Sequence, residues 1–458
     1  MRQGIAPTLS LIIGGASVAL RVNTYHIVEK QKSYALPIAV MFGLFFIISF
    51  VTGLQNPFAV IVKEQFHASN FLSQLGNFAN FLAYACMGMP AGLLLKRIGY
   101  RRTALWAVVV GFVGVGVLFL SGACSSFGVY LLGAFVSGFS MCMLNTVVNP
   151  MLNGLGRTER QGNQLIQFGG ALNSIGATIA PVLVGYLMGA NGAARTIASA
   201  NPALFIAMGI FLVAFVVLLL VDIPEPTLSL ESRGPSKHSA FSFRHFVLGV
   251  VAIFIYVGVE VGIPNIANLY MTTSAVSDGG SGQVGLGMDA TVAGTLVGTY
   301  WFLMFVGRLI GGLVGGRVGS RTMLTSVALL AVVFVCLAIV LPSDRSVTMP
   351  VFQSDISFGM ARVPVSVMFL VLCGLCTSVM WGGIFNLAVS GLGRYTAVAS
   401  GAFMMMVCGG GVLPVLQGWL ADVWGFMNSY WLVVAGLAYI LFYALWGSKN
   451  VNTDIPVD

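Results

Sequence analysis

Twelve stretches of this chain, 35–60, 74–95, 103–121, 127–150, 164–188, 203–221, 246–270, 290–316, 323–341, 365–390, 397–421 and 427–446, are apolar over a length that crosses a bilayer. A hydrocarbon core of about 30 Å takes about 20 helical residues. Inside it every backbone N–H and C=O has to find its partner within the segment. The runs are too long for barrel strands and do not alternate, which leaves helices. Charged residues make up 8% of the chain against 57% hydrophobic ones, where a soluble domain carries about 25% charged. The sequence therefore predicts an all-α integral membrane protein.

The chain also repeats itself. Gly92, Leu93, Arg97, Gly99 and Arg101 return as Gly312, Leu313, Arg317, Gly319 and Arg321. Asn149 and the run Gly154-Leu155-Gly156-Arg157 return as Asn386 and Gly391-Leu392-Gly393-Arg394, and Pro181-Val-Leu with Gly185 and Leu187 returns as Pro414-Val-Leu with Gly418 and Leu420. Six spans fall on each side of a polar linker at 222–245 that holds Pro224, Pro226, Pro235, Asp222, Glu231 and Lys237. The expectation is twelve transmembrane helices in two pseudo-symmetric six-helix halves, 35–221 and 246–446. Duplicated apolar halves are an arrangement of secondary transporters, which bind substrate between them.

Basic residues orient the bundle, because loops on the cytoplasmic side are enriched in Lys and Arg. Eighteen of them, Arg308 counted among these, fall on the side of the even-to-odd loops and tails, against Lys63, Arg195, Arg345 and Arg362 on the other. Both termini, 1–34 and 447–458, are thus expected in the cytoplasm. The net charge of +8 is spread over short loops, so it marks topology and excludes a nucleic-acid stripe. The apolar run 9–20 is short, holds Gly14 and Gly15 and meets Arg21, which reads as a tail or interfacial segment, not a cleaved signal. Asp278, Gly279, Gly280, Ser281 and Gly282 form an outer loop.

Cysteines and histidines supply no chemistry. Cys373 and Cys376 have the spacing of a redox or metal motif, yet they lie in an apolar span without further ligands, so packing is their reading. His26, His67, His238 and His245 fall outside spans or at their ends. No metal, cofactor or catalytic residue is expected. An intramembrane enzyme is disfavoured, and a sensor lacks a soluble output domain.

The polar groups left inside the spans carry the functional argument, since each is costly unless it meets a cavity or a partner. Glu260 is the one acid near the middle of a span, with Tyr256 one turn before it on the same face. It serves either as a hydrogen-bonded structural group or as the ligand of a substrate or coupling ion. Amides form the second set: Gln55 and Asn56 before Pro57, Asn145 and Asn149, Gln167 and Asn173, Asn265 and Asn268, and Asn386 in the second half. Interhelical bonding is their other use. Pro57 and Pro264 free backbone carbonyls, and Trp381 with Phe385 could offer a ring face for stacking. In this reading no Arg or Lys is buried, which favours a hydroxyl-rich neutral ligand over an anion. Arg97, Arg101, Arg317 and Arg321, beside glycines that allow close helix approach, are expected to gate the linker side through bonds that break when the halves rock apart.

The run Gly92-Leu-Leu-Leu-Lys96-Arg97-Ile-Gly99-Tyr-Arg101-Arg102 resembles the signature between spans two and three of the major facilitator superfamily, and Gly312–Arg321 resembles its echo. Tyr256-Val-Gly-Val-Glu260-Val, Asn145-Thr-Val-Val-Asn149-Pro150, Leu172-Asn173-Ser174-Ile-Gly176 and Trp381-Gly-Gly-Ile-Phe385 resemble the fucose permease and glucose/galactose transporter group, over about 35–446. The resemblance implies import of a hexose or deoxyhexose by alternating access, generally with a proton, across a bacterial inner membrane and by a monomer. It also implies carboxylates in spans one and four, at positions that hold Asn56 and Asn145 here. Glu260, similar to the glucose/galactose branch, is left as the candidate coupling residue, with H+ or Na+ as the ion. An amino-sugar or glycoconjugate carrier and an uncoupled sugar facilitator are the alternatives.

Overall fold

The computed structural model describes residues 11–13, 16–18, 34–54, 58, 61, 65, 75–156, 158–188, 196–225, 238–273, 284–288, 290–342, 345–352, 357–452 and 454–457. Gln55, Asn56 and Pro57 therefore lie outside the described residues, as do Arg157, much of the linker and the loop at 274–283. The chain divides into two units, Met1–Ala35 and Leu36–Asp458. In the first, strands β1 (Leu11–Ile13) and β2 (Ala16–Val18) pair antiparallel, Ile12 opposite Ser17. The sequence reading gave this segment no strands.

The second unit is a helical bundle. Its first half holds α1 (Ala35–Gly53), α2 (Leu75–Ile98), α3 (Tyr100–Cys124), α4 (Phe127–Leu155), α5 (Glu159–Met188) and α6 (Asn201–Leu220). The second holds α7 (Arg244–Thr272), α8 (Ala290–Gly315), α9 (Ser320–Val340), α10 (Val365–Val389, with a turn at Ser378–Val379), α11 (Gly393–Trp424) and α12 (Phe426–Gly447). Among the described residues, eleven of these helices are long and apolar enough to span a membrane; α5, the remaining helix of the bundle, is more polar. Leu220, Leu313, Val340 and Val415 stay exposed, an apolar surface that only lipid can cover. The protein is a multi-pass membrane protein.

Helix ends are set by local chemistry. The Glu225 carboxylate accepts from Tyr100 N at 2.7 Å and Arg101 N at 2.9 Å, an anion at the positive end of α3. Gly425, at φ 92°, turns α11 directly into α12 in a conformation that costs a Cβ-bearing residue. Of the eleven spans, α1, α4, α7 and α10 have the largest buried share. They form the centre of the bundle, and α4 and α7 carry the buried Asn145, Asn149 and Glu260.

Proline shapes two of these central helices without breaking them. Pro150 in α4 and Pro264 in α7 each lack the N–H that would bond the carbonyl four residues earlier, which frees Thr146 O and Glu260 O. Ser400 Oγ donates to Thr146 O at 3.1 Å, and Tyr300 Oη donates to Glu260 O at 3.0 Å. A hydroxyl from a neighbouring helix thus satisfies each carbonyl, as a low-dielectric interior demands.

A further element lies between α9 and α10. Strands β3 (Ser346–Phe352) and β4 (Phe358–Pro364) pair antiparallel, with Pro350 opposite Met360. No expectation of strands arises from the sequence between the runs 323–341 and 365–390.

Candidate functional site

Six groups from α4, α5, α7, α8, α10 and α11 meet where the two halves face each other. Arg308 is central. Its Nη2 donates to Glu260 Oε1 at 3.2 Å within its own half, while Nη1 donates to Ser174 Oγ at 2.7 Å and to Gly170 O at 3.1 Å in the other half. Both charged side chains are 12% exposed. One guanidinium therefore ties α7 and α8 to α5 with charge-assisted bonds.

This corrects two expectations. Arg308 is not a linker-side loop charge but a largely enclosed cation inside α8, so the expectation that no Arg or Lys is buried fails, and Glu260 is paired with it. The signal was in the sequence: Arg308 lies within the run 290–316, nine residues before the loop cation Arg317. A charge inside a span calls for a partner, and Glu260 is the acid of complementary sign. The pair neutralises itself, so the site carries no net charge despite the cation.

The amides separate into distinct roles. Asn149 and Asn145 are buried one turn apart, with Asn149 Nδ2 donating to Asn145 O at 2.9 Å and Asn145 Nδ2 to Tyr84 Oη at 3.0 Å. Trp381 Nε1 reaches across the halves to Asn149 Oδ1 at 3.1 Å. Its ring meets Tyr256 edge-on with centroids 6.3 Å apart and Phe403 at 5.9 Å. Tyr256 Oη donates to Thr377 O at 3.1 Å. Hydrogen-bonding amides, an indole edge and an ion pair are thus brought together, the mix that can take up hydroxyl groups in either sense.

Other predicted site residues are placed elsewhere. Gln167 donates to Val379 O at 3.0 Å, at the turn inside α10, so it closes the seam between halves. Asn386 Nδ2 donates to Ser320 Oγ at 2.7 Å and Glu159 O at 3.3 Å, near the linker end. It is a closure contact and not part of the polar cluster. Asn173 donates to Phe45 O at 3.1 Å and fastens α5 to α1. Asn265 is exposed and lies about 140° around α7 from Glu260, on the stripe of Val251 and Leu269. Asn268 is half-buried two turns beyond Glu260. Tyr84, Ser174, Tyr300, Thr377 and Arg308 were missed by the sequence reading.

Two of the predicted gate residues, Arg101 and Arg321, hold their own halves together. Arg101 Nε and Nη2 donate to Leu218 O at 3.0 Å and Leu219 O at 2.6 Å, the last carbonyls of α6, and Arg321 Nε donates to Ser448 Oγ at 3.3 Å. Those bonds stay within one half and would survive rocking, so the inter-half role expected of Arg101 and Arg321 is corrected. Arg97 sits in the last turn of α2, where a cation complements the helix dipole, and Arg317 in the turn after α8.

Contact between halves runs instead along two seams. In one, a Cβ on Gly92 would lie 2.9 Å from Gly401 Cα, so α2 and α11 touch backbone to backbone. In the other, a Cβ on Gly312 would lie 2.7 Å from the Phe168 ring. Down α5 the successive partners Ser174, Gly170, Gln167, Gln164 and Glu159 all meet the second half toward the linker end.

A crevice of about 590 Å³ opens between α1 and α6, lined by Val40, Gly43, Phe46, Ile206 and Ile210 among others. Its wall is wholly apolar and includes none of the polar cluster, so it suits an acyl chain and not the chemistry at Glu260. Among the described residues no cluster of His, Cys, Asp and Glu could hold a metal ion.

Two six-helix halves that meet at a polar, charge-neutral centre define a transporter of the alternating-access kind. Residues 41–413 match the Major Facilitator Superfamily, and the chain belongs to that family of transporters, which are not enzymes. It is 28% identical to the glucose/galactose transporter of Brucella abortus biovar 1 (strain 9-941) over 92% of this chain and 96% of the relative. It is 22% identical to the L-fucose-proton symporter of Escherichia coli (strain K12) over 95% and 99% of the two chains. Its fold is similar to that of the solved Major Facilitator Superfamily transporter FucP in the outward conformation, with a TM-score of 0.77 at 21% identity over 92% of this chain and 100% of that one.

Proposed function

We propose that this protein imports a neutral hexose, of the glucose, galactose or fucose kind, across a bacterial inner membrane in symport with a proton, and works as a monomer with both termini in the cytoplasm. The observation that carries the reading is the Glu260–Arg308 pair at the junction of the halves, bonded to Ser174 and Gly170. An internally neutralised pair beside Asn149, Tyr256 and Trp381 leaves donors and acceptors for hydroxyls but no excess charge for a phosphate. The names of the relatives from Brucella abortus and Escherichia coli support the sugar class and the proton.

In this reading Glu260 is the coupling residue. Arg308, Tyr256 and Tyr300 are the titratable or charged groups that face it. A proton on Glu260 leaves Arg308 as an uncompensated enclosed cation, which disfavours the arrangement in which α8 is closed against α5, and the sugar binds among Asn145, Asn149, Tyr256 and Trp381. The contacts toward the linker end support a state open on the far side. Basic residues at the linker-side helix ends support a cytoplasmic linker.

Counterflow in proteoliposomes over hexoses, deoxyhexoses, amino sugars and sugar phosphates tests the reading. Exchange of a neutral hexose and rejection of its phosphate is the expected result. Accumulation of an amino sugar in preference would move the substrate to the alternative class, and uptake of phosphates alone would refute the neutral site. Glu260→Gln tests coupling: accumulation driven by a pH gradient is lost while exchange persists. Unchanged accumulation returns Glu260 to a structural role.

A further inference from the structure

We propose that the β3–β4 hairpin is a lipid-binding element, seated against phospholipid of the membrane leaflet farther from the linker. Its strands alternate strictly. Met349, Val351 and Val363 turn inward, at 7% exposure or less, whereas Phe358 and Met360 on the opposite face are 65% and 68% exposed, with Pro350 exposed beside Met360.

Where the hairpin sits decides what covers that face. Its base is at the end of α10, where Val365 N donates to Arg345 O at 2.9 Å. At the other end of the strands Phe352 N donates to Thr299 Oγ1 of α8 at 2.8 Å, the Phe352 and Phe302 rings stack 4.7 Å apart with 6° between their planes, and one edge of the Phe358 ring rests on Phe302 at 5.4 Å while the rest stays exposed. Tyr300 of α8 lies against Gly374, nine residues into α10, which is about 13 Å along the helix from Val365. The hairpin therefore hangs down the side of the bundle from base to tip instead of rising into water.

The flank it covers is the lipid-facing one. Thr299 and Phe302 are three helical turns before Ile310 and Leu313 and share their face of α8. Ile310 and Leu313 are 51% and 68% exposed, an apolar stripe that continues the bilayer-facing surface of the bundle. The Arg308 side points the other way, to the junction of the halves. The hairpin thus replaces the upper part of a lipid-facing stripe with its own apolar face. Phe358 and Met360 then meet acyl chains, at the shallow depth of about 5–10 Å typical of interfacial elements.

Charge follows the same order along the hairpin. Arg345 and Arg362 are exposed near its base, with Arg362 Nε held by Ser346 Oγ at 2.6 Å. That places two cations at the level of lipid phosphates and the apolar residues below them, the ordering that interfacial anchors use.

The test replaces Met360 or Phe358 of the full chain with the photo-cross-linker p-benzoylphenylalanine, irradiates bacterial membranes and measures the mass of the purified protein. Leu313, on the exposed stripe, serves as the lipid control, and Thr322, exposed at the linker end, as the aqueous one. The expected result is a phospholipid adduct at 358 and 360 with a yield within about twofold of that at Leu313 and none at Thr322. No adduct at 358 and 360 beside a normal one at Leu313 would overturn the proposal, as would cross-linking to a second protein chain.

Discussion

Ser174→Ala should loosen one state of the transporter and leave the fold intact. The hydroxyl accepts a 2.7 Å bond from the buried Arg308 guanidinium of the other half, and a bond to a charged partner contributes about 1.5–3 kcal/mol. Gly170 O remains as an acceptor for the same Nη1 at 3.1 Å, so the lower end applies. A loss of about 1.5 kcal/mol lowers the ratio of linker-closed to linker-open molecules about tenfold. Arg308→Met would be a blunter change, because it strands Glu260 as an unpaired charge, a defect of about 3–5 kcal/mol that risks the fold itself. Nitroxides at Gln161 and Thr322, both exposed at the linker end of opposite halves, report the populations by pulsed distance measurement once native cysteines are replaced. Ser174→Thr, which keeps a hydroxyl, should restore most of the wild-type ratio. An unchanged distance distribution in Ser174→Ala would refute the idea that the Arg308 tie carries free energy between the halves.

Three further outcomes are expected. Arg101→Ala removes two bonds to the end of α6 and should lower the thermal stability of purified protein by about 1–3 kcal/mol, without altering the Gln161–Thr322 distances; a shifted distribution would revive a gating role. Trp381→Phe keeps the ring but removes the 3.1 Å bond to Asn149, and should weaken sugar affinity in a counterflow titration by about three- to tenfold; unchanged affinity would exclude Trp381 from the site. Ser400→Ala leaves Thr146 O, already deprived of a partner by Pro150, unpaired between the halves, and should cost about 1–3 kcal/mol of stability; a wild-type melting curve would show that another donor replaces the serine.

Much of the bundle could be read from the chain because a bilayer admits few solutions. The run 365–390 returns as α10 at Val365–Val389, and 127–150 as α4, which continues to Leu155, since apolar length fixes where a span lies while the residues at its ends decide where it stops. The hairpin was hidden by Pro350 and Pro364, residues that argue against strands. In the site, Glu260 and the Asn145–Asn149 pair stood out because polarity inside a span is conspicuous, whereas Tyr84, Ser174 and Thr377 are too common in membrane helices to be singled out. Asn265 and Asn386 were polar and inside spans but on the wrong face or at the wrong level. Sequence counts polarity; it takes three dimensions to say which partner each group meets. Arg101 shows the same limit: its position marks it as a cation that bonds at the linker side, but does not show that its acceptors, Leu218 O and Leu219 O, belong to its own half.

The two seams are products of one duplication, yet they are no longer mechanical equals. The displacement that carries Gly92 onto Gly312 also carries Gly88 onto Arg308. Where the first copy presents a bare backbone to Met405, with a Cβ at Gly88 falling 2.6 Å from Met405 Cα, the second presents a long cation that reaches Ser174. The Gly88–Met405 crossing is uncharged, so protons leave it unmoved and it can serve as the fulcrum. The α5–α8 seam holds an ion pair instead, Arg308 with Glu260, and is bonded across to Ser174. The divergence of a single repeat position thus leaves one seam with a charge pair enclosed in it and the other with none.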